Sequence, residues 1–295
     1  MIDKDYLIKA VDKERQVRIT LAHTTKLVAE AHRRHNTSAT ASAALGRVLT
    51  AALMMGSDLK GEKDVLTLRV VGNGAAGAIV ATVDSHGNGR ALISNPAADV
   101  PSKYPGKLDV SGIVGQEGYL EVIKDIGLKQ SFMGRVELVS GEIGEDLAKY
   151  FAMSEQIPSL VSLGVLVDRD LSILAAGGIL VQAMPGADDK LLEIIEKNAL
   201  NMGPVSNLVL ESITLEDILS RIFAGIGYEV LSESPLSFNC NCSSDRLKTI
   251  LASFSEAELQ DIYEKEGILE AQCNFCNEVY NFNLEEILAE KDKKP

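Results

Sequence analysis

Two short stretches decide how this chain is organised: FNCNCSS, residues 238–244, and QCNFCNE, residues 272–278. Together they hold all four cysteines of a 295-residue protein, Cys240, Cys242, Cys273 and Cys276, in the pattern C-x-C, thirty residues, C-x-x-C. The N-terminal MIDKDYLIKAVDKER carries charge early and has no apolar run, so it does not read as a signal peptide. The most apolar stretch, residues 173–181 (ILAAGGILV), is too short to span a bilayer. These features predict a cytoplasmic protein with no membrane partner. In a reducing compartment, paired thiols point to metal or redox chemistry rather than to structural disulfides.

Four cysteines in two tight pairs suit a tetrahedral zinc site with four sulfur ligands. The C-x-x-C half has ordinary zinc-ribbon spacing, whereas the C-x-C half grips through a shorter loop. The segment that carries them is small for a self-sufficient apolar core and needs a staple. A structural zinc contributes about 10–16 kcal/mol in zinc-finger peptides. Thiolates are also the form of cysteine that peroxide attacks. The spacing alone therefore leaves three readings open: a purely structural zinc site with no redox switch, a redox-responsive zinc site, and a dithiol enzyme built on Cys-Asn-Phe-Cys.

Outward from the cysteines, the charge is uneven. Residues 1–186 hold 21 acidic and 20 basic side chains, residues 187–234 hold 9 and 3, and residues 235–295 hold 12 and 6. A phosphate backbone or an anionic lipid surface is repelled by the last third, which argues against a zinc-ribbon nucleic-acid binder. The enzyme reading is weakened because Cys-Asn-Phe-Cys follows the strand-like ILEAQC and pairs with a second cysteine pair, rather than opening a helix. The expectation is a protein that is not an enzyme and has no catalytic residues.

Residues 1–183 alternate strand-like segments, among them RQVRITLAH, VLTLRVVG, GAIVATVD and SILAAGGILVQA, with two helical ones. The helices are TSATASAALGRVLTAALMMG, with Thr37 or Ser38 as cap, and GEIGEDLAKYFAMSEQ. This mix predicts an α/β or α+β core domain. Residues 184–234 read as a linker of two amphipathic helices. In the first, Leu191, Leu192, Ile195 and Leu200 recur at helical spacing. The second is capped by Thr214 and stopped by Gly225 and Gly227, and carries the stripe Ile218, Leu219, Ile222 and Phe223. Residues 235–295 hold the cysteines, with short helices at DRLKTILASF and EAELQDIYEKE and short strands at ILEAQC and EVYNF. The fold class expected is α+β: an α/β-type N-terminal core domain, a helical linker and a small C-terminal zinc-binding domain.

Other features read as structural. His32 and His35 in HRRH lack the Glu of an H-E-x-x-H motif and suit solvated or capping roles. GNGAAG matches no phosphate-loop pattern and reads as a turn between strands. Met54, Met55, Met153 and Met184 read as core, although methionines also make pliable binding surfaces.

The cysteine pattern, joined to RRHNTSATASAALGRVLTAALMMG, GNGAAGAIVA, VSGEIGEDLAKYF and AAGGILVQAMPGA, resembles the thirty-three-kilodalton chaperonin family, the redox-regulated heat-shock holdases of bacteria. The resemblance covers essentially the whole chain. It implies an ATP-independent chaperone that binds unfolding client proteins under oxidative stress. It also implies that the reduced, inactive form holds one zinc ion per chain through Cys240, Cys242, Cys273 and Cys276. Oxidation would form Cys240–Cys242 and Cys273–Cys276 disulfides, expel the metal and unfold the C-terminal domain and linker, and the active form is expected to be a homodimer. On this reading the stripe Ile218, Leu219, Ile222 and Phe223 joins the client-binding surface once released. Its ordinary alternative is a helix face packed on the core.

Overall fold

The computed structural model describes residues 4–104 and 106–291. They fall into two compact units that part between Asn239 and Cys240.

The first unit opens with a hairpin, β1 (Tyr6–Asp12) and β2 (Val17–His23), followed by helices α1 (Thr25–His35) and α2 (Ala39–Gly56). Strands β3 (Val65–Gly72), β4 (Ala78–Asp84) and β5 (Asn88–Ile93) come next, then α3 (Val110–Val114), β6 (Gly118–Asp125) and β7 (Phe132–Glu137). Helix α4 (Gly144–Tyr150) runs into a π-turn over Phe151–Glu155 and leads to β8 (Ser159–Val167) and β9 (Ile173–Ala183). Helices α5 (Asp189–Asn201), α6 (Val205–Leu210) and α7 (Leu215–Ile222) and strands β10 (Tyr228–Pro235) and β11 (Ser237–Phe238) complete the unit.

These strands form a five-stranded sheet in the order β10-β1-β2-β9-β8 and a six-stranded sheet in the order β11-β5-β4-β3-β6-β7. Every named pairing is antiparallel except the two-residue contact of β11 with β5. Of the two arrangements the sequence leaves open, the core is therefore α+β.

Helix α2 packs between the two sheets. Its Ala- and Leu-rich faces bury almost completely, with Leu45, Leu49 and Leu53 at 2% exposure or less. It is the one described helix long and apolar enough to cross a membrane by length and composition, and 89% of its apolar window is buried inside the protein. Ser38, not Thr37, caps it, accepting from the Ala41 N–H at 3.1 Å. Helix α1 has no side-chain cap of its own. The buried Asp5 serves instead, accepting from the N–H groups of Lys26 and Leu27 at 3.2 and 2.6 Å.

A second core fills the other face of the five-stranded sheet, where α5, α6 and α7 cover β1, β2 and β9. Thr214 caps α7 by accepting from the Asp217 N–H at 3.1 Å, as the sequence predicts. The start of α7 is tied to β1: Leu215 donates its N–H to the Tyr6 hydroxyl at 3.2 Å, and that hydroxyl donates to Glu216 at 3.1 Å. Burial pushes the Tyr6 hydroxyl pKa up to about 12, so it stays a donor.

Three structural expectations need correction. Leu200 lies on the outward side of α5 at 65% exposure, because Ile195 and Ala199 carry its buried face. Met153 is 69% exposed on the π-turn, which rotates it away from the core that takes Met54 and Met55, while Met184 is half-buried. His35 is buried rather than solvated, its Nε2 lying 2.9 Å from the Ala91 carbonyl. The GNGAAG stretch is a turn between β3 and β4.

The second unit contains α8 (Ser244–Leu251), α9 (Glu256–Glu266), the hairpin β12 (Leu269–Gln272) and β13 (Val279–Phe282), and α10 (Leu284–Lys291). Its core is small: Ala252, Leu259, Leu269, Phe282 and Ile287 are its buried members.

Candidate metal centre

The second pair of cysteines is held by the hairpin. Gln272 and Val279 form the last pair of the β12–β13 ladder, and the chain between them turns tightly. Cys273 donates its N–H to the Glu278 carbonyl at 2.9 Å. Its own carbonyl accepts from Cys276 at 3.3 Å and Asn277 at 2.7 Å. Asn277 adopts φ 55°, a left-handed conformation that Asn tolerates better than most residues. The two sulfurs of the turn thereby project to one side of it.

The first pair sits just before α8. Ser243 caps that helix, accepting from the Arg246 N–H at 3.2 Å. The cap fixes where the helix begins, and therefore where the preceding Cys-Asn-Cys loop ends. Loop and turn meet so that all four Sγ atoms lie within 4.8 Å of one another. Cys240 Sγ is 3.7 Å from Cys273 Sγ, and Cys242 Sγ is 3.4 Å from Cys276 Sγ. Each of these two contacts joins a member of the first pair to a member of the second.

The donor set fits zinc. Four sulfurs each about 2.3 Å from a tetrahedral ion lie about 3.8 Å from one another, close to the spacing found. Cys276 is buried and the other three sulfurs belong to half-buried residues, so the site is closed on one side. Burial pushes the Cys276 and Cys242 thiols up. A dication among the four sulfurs would supply the charge that reverses this for those two thiols.

Tyr280 joins the cluster unannounced by the spacing of the cysteines. Its hydroxyl lies 3.4 Å from Cys242 Sγ, and that contact, followed by burial, pushes its pKa up to about 12. It remains a hydroxyl able to donate to a thiolate. The positional signal for it is the strand that follows Cys276, which carries Tyr280 back towards the site.

The stripe of α7 lies elsewhere, within the first unit. Ile218, Leu219 and Ile222 have no exposed surface and Phe223 has 2%. Phe223 stacks on Tyr228 with ring centroids 5.0 Å apart. In this structure the stripe is core, not surface.

Known proteins resemble this one along its length. A family model described as Hsp33 protein matches residues 5–283. A 33 kDa chaperonin of Bacillus velezensis is 46% identical over 289 residues, covering 98% of this chain and 99% of its own. One of Clostridium botulinum is 45% identical over 284 residues, covering 96% of each chain. The crystal structure of the 33 kDa chaperonin of Thermotoga maritima superposes with a TM-score of 0.91 at 37% identity and 99% coverage of both chains. The match runs through the sheet-rich unit and on across all four cysteines, and on that ground the chain belongs to the Hsp33 family.

Proposed function

We propose that this protein is a redox-regulated, ATP-independent chaperone of the bacterial cytoplasm that holds unfolding proteins during oxidative stress. The observation that carries the proposal is the convergence of four sulfurs on one centre in a unit whose own core is too small to be secure. Family membership supports the chaperone part of the reading, since relatives across the whole length are named chaperonins.

In the reduced state Cys240, Cys242, Cys273 and Cys276 would hold one zinc ion per chain. The metal supplies folding free energy to the cysteine-bearing unit and keeps the sulfurs as thiolates. Peroxide would convert them in two steps. In each, a pair of thiolates gives two electrons to one peroxide and forms a sulfur–sulfur bond, and the peroxide takes up two protons and leaves as two waters. Cys240–Cys242 and Cys273–Cys276 are the pairs we assign. A disulfide sulfur is no longer a thiolate ligand, so the site loses its metal and the unit its staple.

Domain roles follow: 1–183 as core, 184–234 as a conditional linker and 235–295 as the switch. Release of the stripe on α7 has a cost. Four large apolar side chains at about 1.5–3 kcal/mol each oppose it, so about 6–12 kcal/mol must be returned by client contacts or by a partner copy in a homodimer. We assign no catalytic, nucleic-acid or membrane role.

One observation favours the rival reading of a purely structural zinc. Cys276 is only 3% exposed, which limits attack by peroxide. Peroxide treatment followed by zinc titration with a chromophoric chelator and disulfide mapping by peptide mass separates the two. Loss of one zinc and four thiols per chain supports the switch, and retained zinc supports the staple.

A further inference from the structure

Strand β8 is the edge of the five-stranded sheet, and no strand pairs with its outer edge among the described residues. Which backbone groups face outward follows from the ladder. Ala183 donates its N–H to the Pro158 carbonyl at 2.9 Å, and the register runs from Ser159 opposite Gln182 to Leu166 opposite Ala175. Bonded and non-bonded pairs alternate in an antiparallel ladder. Leu160, Ser162, Gly164 and Leu166 therefore bond β9, while Val161, Leu163 and Val165 turn their N–H and C=O groups away from it. The other side of β9 agrees, because Thr24 donates to the Ala176 carbonyl and so assigns the even-numbered residues of β9 to β2.

These outward groups border a cleft of about 1080 Å³. Residues 161–169 line it in unbroken succession, with Ala43 and Arg47 of α2 on one wall and Ser206 and Asn207 of α6 on the other. The walls follow the alternation of β8. A Cβ on Gly46 of α2 would meet Val165 at 2.8 Å, and a Cβ on Gly164 would meet the Ser206 nitrogen at 2.8 Å. Odd-numbered residues thus face α2 and even-numbered ones face α6. Arg47 pairs with Glu142 at 2.7 Å, yet its buried Nε has no hydrogen-bond partner. Four basic and three acidic side chains line the cleft, so it is nearly neutral in a protein of net charge −13.

We infer that this recessed edge binds an extended segment of an unfolded polypeptide as an added antiparallel or parallel strand. The inference rests on the chaperone reading above and names a surface and a client class for it. A row of alternating donors and acceptors at strand spacing is matched by another extended backbone and by little else. The cleft's lack of net charge suits a reader of backbone rather than of charge. Its walls ask for alternating side chains: small or apolar ones against α2 and polar ones against α6, the pattern of a half-buried strand that has lost its sheet. The recess also selects against a second folded copy. Its own β8 edge lies between the same two walls, whereas a bare chain is thin enough to enter. Unlike the stripe on α7, this edge borders a cleft, and α4 approaches it at one end, where a Cβ on Gly144 would lie 3.3 Å from the Val161 carbonyl.

Hydrogen exchange on the full-length oxidised protein tests this, with reduced carboxymethylated α-lactalbumin as a permanently unfolded probe. Size exclusion first establishes whether a complex forms. With the complex present, the amides of Val161, Leu163 and Val165 should exchange at least about tenfold more slowly than in the free protein, as newly bonded amides do. Unchanged exchange in a demonstrated complex overturns the inference and leaves the chaperone reading standing. Absence of any complex overturns both. Slowing that follows protein concentration without the probe means a second copy covers the edge, and also overturns it. Leu163→Pro removes an outward N–H while sparing the ladder to β9. It should weaken probe binding about tenfold, with Leu163→Val as control. Equal binding by a folded Leu163→Pro protein contradicts the inference, and should that variant not fold, the exchange measurement on the unaltered chain decides alone.

Discussion

The two units keep their shape by different means. The first has two extensive cores, one between its sheets around α2 and one under α5, α6 and α7. The second has five buried apolar residues and four clustered sulfurs. A core of the second kind supplies no more than about 3–5 kcal/mol, so a metal held by the four sulfurs, worth about 10–16 kcal/mol, would decide whether that unit is folded. A chemical signal can act where a few sulfurs, rather than buried apolar area, would hold the fold. On the proposed reading, oxidation of a few sulfurs would leave the first unit's area-driven stability untouched and would remove most of the second's.

Metal removal should have the largest effect, and on one unit only. Zinc-free protein, or Cys273→Ser, should lose exchange protection throughout residues 244–291 while β2, β9 and α2 stay protected. A second unit that remains protected without metal contradicts the account. Next in size is the α7 stripe. Ile218→Ser with Ile222→Ser should cost about 3–6 kcal/mol in the first unit and leave zinc affinity alone, as urea unfolding and chelator competition would report. Unchanged client binding by the oxidised double variant removes the stripe from the client surface. Leu49→Ala, in the buried heart of α2, should cost about 2–5 kcal/mol and lower the melting temperature of the first unit only. Smallest is Ser255→Ala, which removes the capping box formed with Glu258 at the start of α9. It should cost about 1 kcal/mol in the second unit, visible as slightly easier metal loss.

Legibility in the sequence follows where the physics is local. The paired cysteines announce their site because ligand chemistry confines them to few residue types at short spacing, and the structure brings all four together. Strands β3 to β5 alternate buried and partly exposed residues, and Gly or Asp bounds them. Strands β1 and β10 escape notice because they complete each other: β1 lies in a charged stretch, and β10 is largely exposed. Helix α1 is hidden for a related reason, since its cap comes from Asp5 across the fold rather than from its own first turn. The α7 stripe is legible as an apolar face, but periodicity cannot distinguish a face held in reserve from one packed in a core. The β8 cleft has no sequence signature, because its working groups are backbone.

The central claim, that the cysteine unit is a switch and not only a staple, meets its most direct test in one experiment. Light scattering from a heat-unfolding client is followed in the presence of zinc-loaded reduced protein and of peroxide-treated protein, with released zinc recorded in the same samples. The account predicts that the oxidised protein alone suppresses scattering, in step with zinc release. Equal behaviour of the two forms, or activity with zinc still bound, would contradict it.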